Sequence, residues 1–220
     1  MKFCLGICFQ NEESWLRQHL LKIPHPHGWG LVGLDGGSTD QSAALFEAEG
    51  GVVYHRPFDW HFGNHMNALI EACTASGYDA MLRLDPDETV FPYLFSVLEE
   101  TLESVEIVGL PRYAFVEDRE HWNPRWHPDY QLRAFRLNRG LRYQGTVHEM
   151  LNFTEGRYGL VYLDRARPHT HIYHYGWTLP LEQRRIREAH YAELRGGNFE
   201  PSEHLQDGYP YHEPFAGEQP

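Results

Sequence analysis

Residues 80–89 read Ala-Met-Leu-Arg-Leu-Asp-Pro-Asp-Glu-Thr: a strand-compatible run that stops abruptly at Asp85-Pro86-Asp87-Glu88. A buried strand ending in two carboxylates spaced i, i+2 makes a hard-cation site at the carboxyl edge of a sheet. Hard divalent cations take oxygen ligands and leave room for substrate phosphates. In open α/β sheets that edge is also where ligands bind. The chain upstream supplies the sheet. Apolar runs at 3–8, 31–34, 52–54 and 80–84 alternate with helical patterns through about Leu21, through about Glu49 and from Gly63 to Ala75. Strand and helix in alternation predict a mainly parallel sheet with helices on both faces. Ser38 or Asp40 is placed to cap the second helix.

Composition narrows the function. The 220 residues fit one domain, with 41% hydrophobic and 14% aromatic content typical of a folded chain. A formal net charge of −12 argues against a general nucleic-acid binder, which needs a basic footprint. Cys4, Cys8 and Cys73 form no paired framework, which favours a reducing compartment, with Cys4 and Cys8 on one face of the first strand. No stretch approaches the roughly 18 apolar residues of a membrane span, and the N-terminus has no basic-then-apolar leader pattern. The expectation is a cytoplasmic protein with no integral membrane segment.

Beyond Pro92 the pattern changes. A helix is expected to Ser104 and a strand over 105–116. Short strand-like runs follow at 131–137, 160–163 and 171–175, between aromatic, arginine-rich loops, and a last helix spans about 181–194. These features divide the chain into a domain over 1–196, with a nucleotide-binding half (1–104) and an acceptor-side half (105–196). Residues 197–220 form a Pro-, Gly- and acid-rich tail with little to bury, either mobile or draped on the surface.

The ordered motifs resemble a known family. Gln10-Asn11-Glu12 after the first strand, LDGGSTD at 34–40, FGNHMNAL at 62–69 and LRLDPDE at 82–88 resemble the family 2 glycosyltransferases of the GT-A fold. Later segments, QGTVHE at 144–149 and HIYHYG at 171–176, resemble the subgroup near lipopolysaccharide-core glucosyltransferases. The resemblance covers roughly residues 3–178. It implies a Rossmann-like α/β fold with a small C-terminal acceptor-side region, a nucleotide-sugar donor, a divalent metal (Mn²⁺ or Mg²⁺) and transfer of a sugar to an acceptor nucleophile. A metal bridging a diphosphate leaving group stabilises the negative charge that develops on it.

The resemblance also implies site residues. Asp35 matches the carboxylate that hydrogen-bonds the donor base, and a carboxylate accepting from the N3–H of uracil favours uridine. The second Asp common at the next position is Gly36 here. Asp85 matches the first carboxylate of the metal motif and Asp87 the direct metal ligand, with Glu88 as support. His174 completes the metal's coordination in this reading. His171, three residues earlier in an extended strand, would point to the opposite face. Gln10, Asn11, Glu12, Asn67 and Arg83 join Asp35 and Asp85 around the donor, and Asn64 and His65 open the third helix beside them. Glu149 is the expected catalytic base, with Asp118 and Asp129 as alternatives. Trp122, Trp126, Tyr130, Tyr143 and Trp177 are candidates for stacking on an acceptor saccharide or for an aromatic core. Arg133, Arg136, Arg139, Arg142 and Arg157 are candidates for neutralising a diphosphate or an anionic acceptor.

The leading expectation is therefore an inverting, metal-dependent hexosyltransferase using a UDP-sugar, UDP-glucose favoured, with a saccharide, lipid-linked or protein acceptor. A partner or a second copy of the chain would suit its small size. A sugar-phosphate nucleotidyltransferase is disfavoured because no Gly-rich basic loop follows the first strand. A non-catalytic nucleotide-sugar-binding module would keep Asp35 and Asp85 but lack a base. A zinc enzyme on His169, His171 and His174 lacks the helical i, i+4 pair of common zinc motifs.

Overall fold

The computed structural model describes residues 1–19, 21, 23–24, 26–137, 140–147, 149–153, 158–194 and 212–220. Arg139, Arg157, His148 and tail residues 197–211 lie outside the described residues.

The expected strand–helix alternation builds the larger of two sheets. Strands β1 (Phe3–Phe9), β2 (Gly30–Asp35), β3 (Val52–His55) and β4 (Ala80–Leu84) pair in parallel, with β1 central between β2 and β4. Helices α1 (Glu13–Gln18), α2 (Ser42–Ala48) and α3 (Phe62–Ala75) connect them. α1 stops short of the expected Leu21. α2 has Gln41 as N-cap, yet the expected Asp40 acts one position earlier, its Oδ1 accepting from Ser42 N at 2.9 Å. β4 is buried along its whole length, as a strand covered on both faces must be.

The chain then makes the sheet mixed. α4 (Tyr93–Thr101) leads to β6 (Ile107–Leu110), which reaches the parallel half through β9 (Gln131–Arg136), antiparallel to both β4 and β6. β12 (Leu160–Tyr162) closes the edge, giving the order β12-β6-β9-β4-β1-β2-β3. One step on β6, from Val108 to Gly109, spans two on β9, from Ala134 to Leu132. Arg133 is thus the extra residue of a bulge, a device that re-aims a side chain out of the regular alternation.

The expected single strand over 105–116 is two strands. Pro111 has no N–H to continue a ladder, and the chain changes sheets there. β7 (Arg112–Val116) belongs to a second sheet of order β14-β8-β7-β13-β5, with β5 (Glu88–Val90), β8 (His121–Trp122), β13 (Ile172–Trp177) and β14 (Glu213–Pro214). A hairpin of β10 (Leu141–Gln144) and β11 (Met150–Phe153) stands beside α3, and α5 (Leu181–Leu194) follows β13. The second sheet has its own aromatic core of Phe115, Tyr173 and Tyr175, into which Phe215 packs. The end of the tail is therefore an integrated strand: Phe215 N donates to Glu120 O at 2.7 Å, and Tyr175 Oη donates to Gln219 at 3.0 Å.

Candidate active site

The two sheets meet at the segment that opened the sequence argument. Asp85-Pro86-Asp87 is the turn between β4 in the first sheet and β5 in the second, closed by Glu88 N donating to Asp85 O at 2.9 Å. β13 pairs antiparallel with β5 in a register that sets His174 opposite Glu88, and Tyr175 N donates to Asp87 O at 2.9 Å. Strand pairing thus brings together two groups far apart in sequence: His174 Nε2 lies 3.6 Å from Asp87 Oδ2. Gly176 keeps the space between them open. A Cβ there would collide with Asp87 Oδ2 and lie 2.8 Å from His174 Nε2.

The carboxylates of this turn have different fates. Asp85 is gripped from both sides, with Arg83 at 2.6 Å from Oδ1 and Arg133 at 2.6 Å from Oδ2. Burial alone would raise its carboxyl pKa, but Arg133 and Arg83 hold it well below the ordinary range. Glu88 is fully buried, accepts from Arg133 at 2.9 Å and from Asp85 N at 3.0 Å, and lies 3.3 Å from Arg112. Asp87 has no such clamp. Its ionic neighbours, His174 and Arg187, both lie at 3.6 Å, and burial pushes its carboxyl pKa up. Burial also pushes His174 down to about 3, keeping the imidazole neutral with a free lone pair.

These residues suit a divalent cation, in a particular way. Asp87 and His174 form a loosely held pair with a neutral ring, a carboxylate and a cleared gap. Asp85, expected as a third ligand, also lines the cleft, but both its oxygens are held by guanidinium groups. Among the described residues no group of three His, Cys, Asp or Glu side chains could hold a metal ion by itself. A cation that also binds a substrate's phosphates can be held by as few as one or two protein ligands. Filling the gap tests this. Gly176→Ala should weaken Mn²⁺-dependent nucleotide binding about 10-fold or more and cost about 1–3 kcal/mol of stability by overpacking, checked by calorimetry and thermal melting.

A cleft of about 1500 Å³ opens over this turn, room for more than one drug-sized ligand. Gln10, Asn11 and Glu12 line one wall, and burial, then Asp87, pushes the Glu12 carboxyl up to about 8. Asp35 lies under this wall and does not line the cleft. Its Oδ1 accepts from Ser38 N at 2.9 Å and Gly37 N at 3.2 Å, and its Oδ2 lies 3.0 Å from His55 Nδ1. Burial opposes ionisation, but these contacts with Ser38, His55 and Gly37 lower the carboxyl pKa. Asn67 is a positioning residue rather than a wall residue. Its amide donates to Tyr143 O at 2.9 Å and accepts from Tyr143 N at 2.7 Å, tying α3 to β10. His65 lines the cleft; Asn64, expected beside it, binds Asp59 and does not.

Glu149 lines the cleft beside the turn, its Oε1 lying 3.4 Å from the same Arg83 Nη2 that binds Asp85. Its loop is fixed by the first turn of α3, where Phe62 N donates to Thr146 O at 2.9 Å and Gly63 N to Gly145 O at 3.1 Å. Asp129 also lines the cleft, but Arg112 and Gln131 hold it. Asp118 binds His121 and two backbone N–H groups away from the cleft.

Of the aromatics, Tyr130, Tyr143 and Trp177 reach the cleft; Trp122 packs around the second sheet's core, and Trp126 lies against Trp177. Arg133 reaches the cleft; Arg136 binds Leu102 O, and Arg142 binds Leu141 O and lies 3.7 Å from Glu71. His171 is buried against Tyr113 with ring centroids 4.4 Å apart, on the other face of β13 from His174, so the three histidines of the zinc reading do not converge. Sequence reasoning missed Arg112, Arg187, His190 and Trp60. The only signal for the middle two was the i, i+3, i+4 spacing of Arg187, His190 and Tyr191 on α5.

The model of the glycosyl transferase family 2 matches residues 4–157. The chain belongs to this family. No curated protein matches it. Among solved structures, S. aureus TarS 1-349 is similar over 91% of this chain and 67% of that one, with 11% identity and a TM-score of 0.50. The same TarS fragment in complex with UDP matches 54% of this chain and 37% of that one, with 18% identity and a TM-score of 0.42. M. tuberculosis glucosyl-3-phosphoglycerate synthase, in complex with Mn²⁺, UDP and glucosyl-3-phosphoglycerate, matches 50% of this chain and 44% of that one, with 22% identity and a TM-score of 0.40. In the latter two the chain covers less than two thirds of the neighbour's own length. The likeness to TarS 1-349 over 91% of this chain concerns the fold alone, and the fold is the mixed, mainly parallel α/β sheet flanked by helices expected from the sequence.

Proposed function

We propose that this chain transfers a hexose, glucose favoured, from a UDP-sugar to an acceptor hydroxyl by direct displacement with inversion. The observation that carries the reading is the Asp87–His174 pair: a carboxylate and a neutral imidazole with a cleared gap, where the mainly parallel sheet meets the second sheet. Membership of glycosyl transferase family 2 supports the reaction class. Asp87 and His174 would hold Mn²⁺ or Mg²⁺, which when bound supplies positive charge to the departing diphosphate.

The chain's own residues do the rest. Arg83 and Arg133 lock Asp85, so the turn presents Asp87 in one orientation. Gln10, Asn11 and Glu12 form the donor wall; Asp35, buried beneath it with both oxygens engaged, would have to give up its contact with His55 for its carboxylate to accept from the uracil N3–H. Glu149, beside the turn, takes the proton of the acceptor hydroxyl as it attacks the anomeric carbon. Tyr130 and Trp177 offer ring faces to an acceptor sugar, free or lipid-linked, and a protein side chain is the third acceptor class. In this reading residues 1–104 hold the donor and 105–196 form the acceptor side of one domain working in the cytoplasm. No described helix is long and apolar enough to cross a membrane.

Calorimetric titration with UDP tests the proposal. Binding with Mn²⁺ that disappears in EDTA is expected, followed by release of UDP from UDP-glucose. No UDP binding in either condition would overturn it. Metal-dependent binding with no turnover of any UDP-hexose would return the chain to the binding-module reading.

A further inference from the structure

Asp87 has a second neighbour that the donor reading leaves unused. Arg187, on the cleft-facing side of α5, lies 3.6 Å from Asp87 Oδ2 through Nη1. That is too long for a hydrogen bond. Its anchor is elsewhere: Nη2 donates to Gly176 O at 2.8 Å, and the guanidinium lies 5.1 Å from the centre of the Trp177 ring. Its buried Nε has no hydrogen-bond partner among the described residues. The contrast with Arg83 and Arg133 is the informative point. Those two grip Asp85 at 2.6 Å and cannot leave without orphaning a buried charge. Arg187 is tethered to a carbonyl and a ring and touches the carboxylate only loosely; an unpartnered Nε is a feature it shares with Arg83 and Arg133.

We propose that Arg187 is an exchangeable counter-ion: it neutralises Asp87 while no cation is bound there and turns to the terminal phosphate of a nucleoside diphosphate when a cation takes its place. The inference rests on the UDP-sugar reading of the same cleft. The electrostatics require some such exchange. A divalent cation on Asp87 repels a guanidinium about 4 Å from it, whereas the diphosphate it recruits attracts one. The tether at Gly176 and Trp177 keeps Arg187 within reach, and its planar fork suits two phosphate oxygens. Arg187 would thus oppose binding of the cation alone and favour binding of the cation together with the diphosphate, coupling the two ligands.

Opposite signs make the test specific. Wild type, Arg187→Gln and Arg187→Lys are titrated with Mn²⁺ alone, followed by electron paramagnetic resonance, and with UDP and UMP at saturating Mn²⁺, followed by calorimetry. Arg187→Gln is expected to bind Mn²⁺ alone more tightly than wild type. It should bind UDP about 10-fold or more less tightly, the usual loss for a charge-assisted hydrogen bond. UMP affinity should stay within about 2-fold, since the lost contact is to the terminal phosphate. Arg187→Lys, which keeps a point charge, should recover part of the UDP affinity. Equal losses for UDP and UMP would mean a merely structural role and overturn the exchange, as would weaker Mn²⁺ binding in Arg187→Gln. If wild type itself binds no UDP with Mn²⁺, the donor reading fails and the exchange with it; a defect confined to the comparison of variants sinks only the exchange.

Discussion

Asp87→Asn is expected to abolish Mn²⁺-dependent UDP binding, a loss of at least about 100-fold given the several kcal/mol a ligating carboxylate and its metal contribute. The fold should be unharmed or firmer. Burial raises the Asp87 pKa, so the carboxyl holds its proton more tightly folded than unfolded. A raised folded-state pKa gives stability that is present below the unfolded value and is lost as pH rises through the folded one. Wherever Asp87 is ionised, its charge is therefore a cost to the fold, which the neutral amide removes. Its structural contact, the backbone carbonyl accepting from Tyr175 N, survives the substitution. The expected result is a variant with an equal or higher melting temperature that no longer responds to Mn²⁺. Retained metal-dependent affinity would remove Asp87 from the metal site.

Asp85 provides the opposite sign at the same turn. Its pKa is lowered through Arg133 and Arg83 against the cost of burial, so its charge stabilises the fold above the unfolded pKa, and that gain is lost as pH falls. Two neighbouring carboxylates are thus divided between function and structure: one loosely held and costly to the fold, the other clamped and stabilising. Active sites commonly carry such a trade-off.

The sequence names both members of the Asp87–His174 pair but not what joins them. β4, α3 and α5 are legible because their apolar periodicity runs long enough to choose between helix and strand. The three-residue β5 is too short to be read, and its pairing with β13, which sets the register of the site, is a contact between distant segments that leaves no local pattern. Pro111 was visible, but an apolar run continues through it, so β6 and β7 read as one strand. Arg133 is aimed by a bulge that only the pairing of β9 with β6 reveals. Arg187 lies on a polar helix, where an arginine reads as a solvated surface charge. Residues 212–220 look unattached by composition, yet a single aromatic, Phe215, anchors them in the second sheet's core.

Glu149→Gln is expected to leave donor binding within about 2-fold of wild type and to slow turnover of UDP-glucose at least about 100-fold, the usual range for loss of a general base. The separation of effects follows from position. Glu149 meets the turn only through Arg83, at 3.4 Å, while Arg83 keeps its shorter bond to Asp85 at 2.6 Å. Removing the charge from Glu149 therefore leaves the clamp on the turn intact. Its loop is held by α3 backbone donors to Thr146 and Gly145, which the side chain does not touch, so the glutamine should occupy the same place without accepting a proton. The readout is UDP release. Turnover that is normal in Glu149→Gln would move the base to Asp129, which also lines the cleft. It would then have to part from Arg112 before it could accept a proton, and Asp129→Asn rather than Glu149→Gln would be the slow variant.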